Sequence, residues 1–315
     1  MRVVVIGGSG HIGSYLIPRL VAFEHEVFCV TRGERSPYVA SRAWEKVSMV
    51  VADRELEDSA GTFGKRIAAL KADVVIDLVC FDEGSARQLV EALRGRIRML
   101  LHCGTIWVHG HSAVLPTSEL QPRHPFGDYG IKKAAIEAYL LEEAGSRGFP
   151  VSIIHPGHIV GRGWWPLNPA GNFNPEVFQN LARGKEISLP HLGLETVHHV
   201  HADDLAWAFM AAMSSAGRAI GESFHIVSAK ALTLRGYAEA VSRWFGQTPS
   251  ISFHSWEAFR AGCSEADAAA SWDHIAHSPN CSIEKAANLI GYHPRYTSLE
   301  AVFDSLEYMQ GKGLL

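Results

Sequence analysis

The stretch Arg2-Val3-Val4-Val5-Ile6-Gly7-Gly8-Ser9-Gly10-His11-Ile12-Gly13 decides how this chain folds. Its β-branched run reads as a buried strand, and Gly7, Gly10 and Gly13 follow at once in a GxxGxxG spacing. Glycines so placed permit a tight turn, close backbone approach to a pyrophosphate, and tight packing of helix on strand. A helical pattern over His11–Phe23 follows, whose N-terminus offers free N–H groups and a positive dipole end to phosphates. Glycine loops also serve as plain turns, but strand, loop and helix in this order predict dinucleotide binding. Gly7, Ser9, Gly10, His11, Ile12 and Gly13 are the expected contacts, and Pro18 predicts a kink in the helix.

Outward from this loop, short apolar runs alternate with helical patterns. Arg2–Gly7, Glu26–Thr31, Val47–Ala52, Asp73–Val79, Arg98–Cys103 and Val151–His155 read as strands. Thr62–Leu70, Glu83–Arg94 and Tyr129–Arg147 read as further helices. Continuous apolar strands joined by helices mean an α/β fold, a doubly wound parallel Rossmann sheet covered on both faces. After His155 the alternation fails. Pro156–Pro190 is rich in Gly, Pro, Asn and Trp and reads as a loop-bearing lobe. Strand–helix signals return at Val197–Met213 and Ser223–Phe245; Trp272–Asn280 reads as turn, and Leu299–Met309 as a last helix. The expected division is an NAD(P)-binding domain over residues 1–157, rejoined by 197–227. A smaller C-terminal α/β substrate-binding lobe takes in 158–196 and 228–315.

Composition narrows the function. With 315 residues the chain is long enough for a cofactor domain and an appended lobe. Hydrophobic residues make up 47% and charged residues 20%, ordinary for a globular protein. The net charge of −4 gives no basic footprint for nucleic acid and no polybasic patch for a membrane. Five scattered cysteines form no CxxC pair, and no run approaches a membrane span, so a cytoplasmic protein is expected.

Cofactor choice is read at the end of the second strand, where an acid would suit a ribose 2′-OH and an arginine a 2′-phosphate. The chain reads Val30-Thr31-Arg32-Gly33, with Arg35 nearby. NADP is therefore expected over NAD, although Arg32 also has a reading as a plain solvated charge.

Tyr129-Gly130-Ile131-Lys132-Lys133 places Tyr129 and Lys133 four apart on one helical face. A lysine ammonium beside a phenol favours the phenolate and lowers its pKa towards useful acid–base chemistry. The spacing alone decides nothing, since Tyr308 and Lys312 repeat it near the C-terminus. Thr105, just past the fifth strand, stands at the carboxyl end of the sheet, where ligands bind, so Thr105, Tyr129 and Lys133 form the candidate catalytic set.

With these motifs in place, the chain resembles the extended short-chain dehydrogenase/reductase family, also called the NAD-dependent epimerase/dehydratase family. The resemblance rests on the glycine loop, on Thr105 in a segment similar to "SS..VYG", and on Tyr129 with Lys133. Pro156-Gly157 and His201-Ala202-Asp203-Asp204-Leu205-Ala206, similar to "hVdDla", complete it. The resemblance implies that Asp53 lies near the adenine, that Leu78, Val79 and Pro156 border the cofactor, and that Lys133 holds the nicotinamide ribose. It also implies a homodimer through the helices near Glu83–Arg94 and Tyr129–Arg147. This chain departs from the family: His109 replaces the usual Tyr and Thr105 the commoner Ser. Val197 stands where an arginine grips a sugar-nucleotide diphosphate, and no arginine lies between Arg260 and Arg295, where a second such contact is expected.

Two phosphates without charged partners bind poorly, so the expected substrate is a small, hydroxyl-rich, sugar-like molecule without them. Trp107, His109, His158 and Trp164 are its expected contacts, offering flat apolar faces with polar tips. His198-His199-Val200-His201 reads as a hydrogen-bonded segment rather than a metal site, and no metal is expected. The expected activity is hydride transfer at a secondary alcohol or carbonyl carbon. A 4-epimerase holding NAD tightly is the alternative, and a non-catalytic dinucleotide-binding protein a second one.

Overall fold

Seven parallel strands form the central sheet of the computed structural model, which describes residues 1–315. Six come first in the chain: β1 (Arg2–Ile6), β2 (Glu26–Thr31), β3 (Ser48–Val51), β4 (Val74–Asp77), β5 (Met99–Cys103) and β6 (Val151–Pro156). Four short strands intervene, β7 (His158–Val160), β8 (Ile187–Pro190), β9 (Thr196–Val197) and β10 (His199–His201), before β11 (Ser223–Ile226) returns beside β6. The spatial order β11-β6-β5-β4-β1-β2-β3 reverses direction between β1 and β4. A crevice opens there at the carboxyl ends of the strands, and the glycine loop lies at its floor.

Helices cover both faces because the strands are apolar on both. On one face lies α1 (Gly13–Ala22); on the other lie α3 (Phe63–Ala69), α4 (Glu83–Leu93) and α5 (Gly127–Arg147), after the short α2 (Arg54–Ser59). Pro18 sits inside α1. The 197–227 segment contributes α7 (Ala202–Ser214), which packs on α1, and β11. Its apolar Leu205, Ala208, Phe209 and Ala212 are fully buried against Leu16 and Leu20.

A separate core of 17 buried residues lies in the lobe, around Phe178, Leu189, Tyr237 and Val302. It joins α6 (Pro175–Ala182), α9 (Leu234–Trp244), α10 (Trp256–Ala261) and α13 (Ser298–Gly311). The remaining elements are α8 (Ala216–Ala219), β12 (Leu232–Thr233), β13 (Ile251–His254), α11 (Glu265–His277) and α12 (Glu284–Ile290). β8 pairs with β13, β7 with β10 and β9 with β12, each as a two-stranded sheet.

Three sequence expectations change. Pro156–Pro190 is more ordered than its composition predicts: it holds β7, α6 and β8, the helix started by Asn174, whose side chain accepts from the Glu176 N–H, and by Pro175 at its first position. Trp272–Asn280 is not a turn up to His277 but the end of α11, whose Ser264 cap lies too far upstream for that window to show. The chain turns only at Ser278, with φ +41°. Helix α2 is new, started by the Asp53 carboxylate, which accepts from the Leu56 N–H at 3.1 Å. No helix is long and apolar enough to cross a membrane.

Candidate active site

Two clefts open at the carboxyl edge of the sheet. The larger, about 800 Å³, is bordered by Gly7, Ser9, Gly10, Thr31, Arg32, Asp53 and Val79. Gly7 has φ +80°, and a Cβ there would lie 2.5 Å from Val79, so only glycine makes this turn beside that wall. At Gly13 an added Cβ would meet the Gly8 carbonyl oxygen at 1.9 Å, because α1 abuts the loop. Gly10 differs: its nearest neighbour is Gly7 O at 3.4 Å, and its open face borders the cleft. The backbone is thus bare where a pyrophosphate would approach the start of α1, and the cradle fits a dinucleotide.

The expected cofactor residues divide by position. Ser9 borders the cleft with its hydroxyl 3.1 Å from that of Thr31. Arg32 borders it too, paired with Glu34 at 3.1 Å and still 57% exposed. Asp53 borders it while capping α2. Ile12 and Leu78 turn instead into the core beside α1, and His11 and Pro156 face the second cleft. Arg54 also borders the first cleft, bonded to Asp77 at 2.6 Å and Asp58 at 3.2 Å. Sequence reasoning missed it; its one signal was a cation directly after Asp53 at the end of a strand.

The second cleft, about 470 Å³, brings together Thr105, Trp107, Tyr129, Pro156, His158 and Trp164, with Phe173 and His274 added by the lobe. Thr105, two residues past the end of β5, caps a short turn, its hydroxyl accepting from the Trp107 N–H at 3.3 Å. Tyr129 stands in the first turn of α5, and its ring meets Trp107 edge-on at 5.9 Å. Lys133, one turn on, is 3% exposed and donates to the carbonyl oxygens of Cys80 and Cys103, both at 2.8 Å. One of its three donors remains for a third partner.

One electrostatic expectation is corrected. Although 43% of Tyr129 is open to the cleft, the surrounding protein pushes its phenol up to about 12; Cys103 adds to the rise and the Thr105 hydroxyl opposes it. Lys133 does not offset this, because its ammonium lies 6.0 Å from the ring centroid and is committed to two carbonyls.

His109 does not reach the cleft. It is 5% exposed, and its Nε2 lies 2.8 Å from Nε2 of His225, so it forms part of the buried floor. Trp164 does more than line the substrate side. Its ring stacks on His11 at 4.0 Å, binding the lobe to the glycine loop. The 198–201 segment is mostly satisfied: His198 donates from Nε2 to Ser228 O and accepts at Nδ1 from the Cys281 N–H. His201 accepts at Nδ1 from the Asp203 N–H and faces Asp304. Potential metal ligands converge at Asp77, Cys80 and His102 instead, where Asp77 is already paired with Arg54.

Residues 3–226 match the model of the NAD dependent epimerase/dehydratase family. The chain belongs to that family. Among relatives, it is 27% identical to the chloroplast stem-loop binding protein of 41 kDa b of Arabidopsis thaliana, over 99% of this chain and 80% of that one. It is also 27% identical to 2'-dehydrokanamycin reductase of Streptomyces kanamyceticus, over 78% and 67%. In fold it is similar to UDP-glucose 4-epimerase of Thermotoga maritima, solved with UDP-glucose, with a TM-score of 0.76, 18% identity and 99% of each chain covered. Family members of this kind are NAD(P)-dependent enzymes, and so is this one.

Proposed function

We propose that the protein is an NADP-preferring oxidoreductase acting at a secondary alcohol or carbonyl carbon of an uncharged, hydroxyl-rich substrate. One observation carries the reading: the cleft that holds Thr105 and Tyr129 is bordered by aromatic rings and neutral imidazoles, and by no lysine or arginine. Val197, at the position where a diphosphate-gripping arginine is otherwise expected, is fully buried. A substrate phosphate would be desolvated there without a charged partner.

A bound nicotinamide supplies or accepts the hydride. The chain does the rest. In the reducing direction Tyr129 Oη gives its proton to the substrate oxygen, and the Thr105 hydroxyl hydrogen-bonds that oxygen and orients it. The third donor of Lys133, left over by the Cys80 and Cys103 carbonyls, would hold the ribose of a bound cofactor. A phenol held near pKa 12 keeps its proton at neutral pH, so Tyr129 stands ready as the proton donor of the reducing direction. Arg32 and Arg35, both bordering the first cleft, favour a 2′-phosphate. Five free cysteines support a reducing, cytoplasmic setting.

The test is a cofactor-linked assay of the purified protein with neutral aldoses, ketoses and polyols beside UDP-glucose, after measuring any nicotinamide that co-purifies. Net turnover of a neutral substrate with added NADP(H) is expected. Tightly retained NAD with interconversion of UDP-sugars and no net redox would establish the epimerase instead.

A further inference from the structure

One wall of the second cleft is built from histidines, and one of them keeps a nitrogen that the protein leaves without a partner. His158 of β7 and His274 of α11 both border it, their rings 5.1 Å apart. His274 Nδ1 donates to Ala270 O at 2.6 Å, and the Gly171 carbonyl also lies against the ring. His158 Nδ1 lies 3.2 Å from both the N–H and the carbonyl of His198, and its buried Nε2 has no protein partner. Behind it His199 of β10 is fully buried, 5.7 Å away ring to ring, with the Leu167 carbonyl nearby but neither nitrogen in a well-formed hydrogen bond. Buried polar atoms are nearly always paired, so an unpaired cluster beside a cleft needs an explanation, and a ligand that completes it is one.

The position of this wall says which ligand atoms it meets. The Trp107 ring touches Tyr129 along one edge and His274, 5.1 Å away, along another. His274 therefore stands one indole ring from the candidate reacting phenol, with His158 beside it, where the groups on neighbouring carbons of a bound ring would lie. Phe173, edge-on to His274 at 5.5 Å and 53% exposed, offers an apolar surface for C–H groups beside them. Burial holds all three imidazoles neutral, His199 down to about 3, so they exchange hydrogen bonds with hydroxyls and do not attract phosphate. Their nitrogens do not converge as metal ligands do; that convergence occurs only at Asp77, Cys80 and His102.

We propose that His158 and His274 recognise hydroxyls on the carbons beside the reacting one, selecting an uncharged polyhydroxylated substrate, with His199 positioning His158 from behind. The inference rests on the phosphate-free reading above and adds the groups that select within that class.

The test is calorimetric binding to the protein saturated with NADP⁺, using D-glucose, D-galactose, D-xylose and myo-inositol, their monodeoxy forms, and UDP-glucose as control. At least one neutral ligand should bind, and removing one particular hydroxyl should weaken it about 10- to 100-fold. His274→Phe should lose a similar factor, after which the same deoxygenation costs nothing further, while NADP⁺ affinity is unchanged. His158→Phe repeats the experiment on the second ring, and the wild-type deoxy series stands even if a variant misfolds. Wild-type affinity with an undiminished deoxy penalty in His274→Phe, or no neutral ligand binding at all, overturns the proposal. Tight UDP-glucose binding with all neutral ligands silent would overturn the parent reading as well.

Discussion

The backbone N–H of Thr105 donates to Nδ1 of His155 at 2.9 Å, across from β5 to the end of β6. That bond fixes the imidazole's tautomer, so Nε2 carries the proton and points it at Glu137 Oε1, 3.1 Å away. Arg123 grips the same carboxylate with two nitrogens, at 2.7 and 3.2 Å. Beside this network lies the His109–His225 pair. The candidate catalytic threonine is therefore held by a buried polar floor whose protonation state matters to the fold.

Acid should unfold the protein early. Burial lowers His109, His198 and His277 to about 4, and lowers His158 and His225 well below their ordinary value of 6.5. Each of these groups binds a proton more readily in the unfolded chain, so its stabilisation is complete above pH 6.5 and is lost as pH falls towards the folded value. Each contributes about 1.4 kcal/mol per pH unit inside that window. Glu137, held below the ordinary carboxylate range by His155 and Arg123 against the cost of burial, adds a further loss below pH 4.5. Urea midpoints measured from pH 8 to pH 4 should be flat at first and then drop steadily below about pH 6.5. A flat profile down to pH 5 would show that these histidines are not buried neutral.

Tyr129→Phe removes the phenolic proton and leaves the ring that packs against Trp107. Turnover should fall about 10²- to 10⁴-fold, while the Kd for NADPH and the thermal midpoint stay near wild type. Retention of full turnover by this variant would remove Tyr129 from the mechanism.

Gly10→Ala and Gly13→Ala separate binding from folding. A methyl at Gly10 meets nothing closer than 3.4 Å in the protein but occupies the face that the cofactor backbone approaches. It should fold normally and lose NADPH affinity. At Gly13 the methyl strikes the Gly8 carbonyl at 1.9 Å, so the protein should be destabilised by about 1–3 kcal/mol or more from overpacking. Urea unfolding and cofactor titration of both variants decide this, and equal stability losses would contradict the assignment of Gly10.

Arg32→Ala tests cofactor choice. A guanidinium meeting a 2′-phosphate is worth about 1.5–3 kcal/mol, roughly a ten- to hundredfold preference for NADPH over NADH. Glu34 already shares Arg32, and Arg35 borders the same cleft, so the variant should lose only part of that preference. Equal wild-type Kd values for the two cofactors would show Arg32 to be a surface charge.

The sequence by itself determined the sheet, the glycine loop and the order of the motifs, because those depend on local patterns. An apolar strand followed by glycines at fixed spacing has few other structures open to it. The tertiary structure decided which side chains share a cleft. Tyr129–Lys133 and Tyr308–Lys312 have the same spacing, yet only the first pair stands where β5 and α5 converge, with its lysine buried; Lys312 instead follows α13, on the surface, 5.4 Å from the Tyr308 ring. His109, His158 and His274 were alike as sequence letters. Long-range contacts put the first in the floor against His225 and the other two on the cleft wall, the last carried there by α11 from the far end of the chain. The rise in the Tyr129 pKa was hidden for the same reason: it depends on the mass of protein around the phenol and on the carbonyls that engage Lys133. Neither follows from a spacing of four residues.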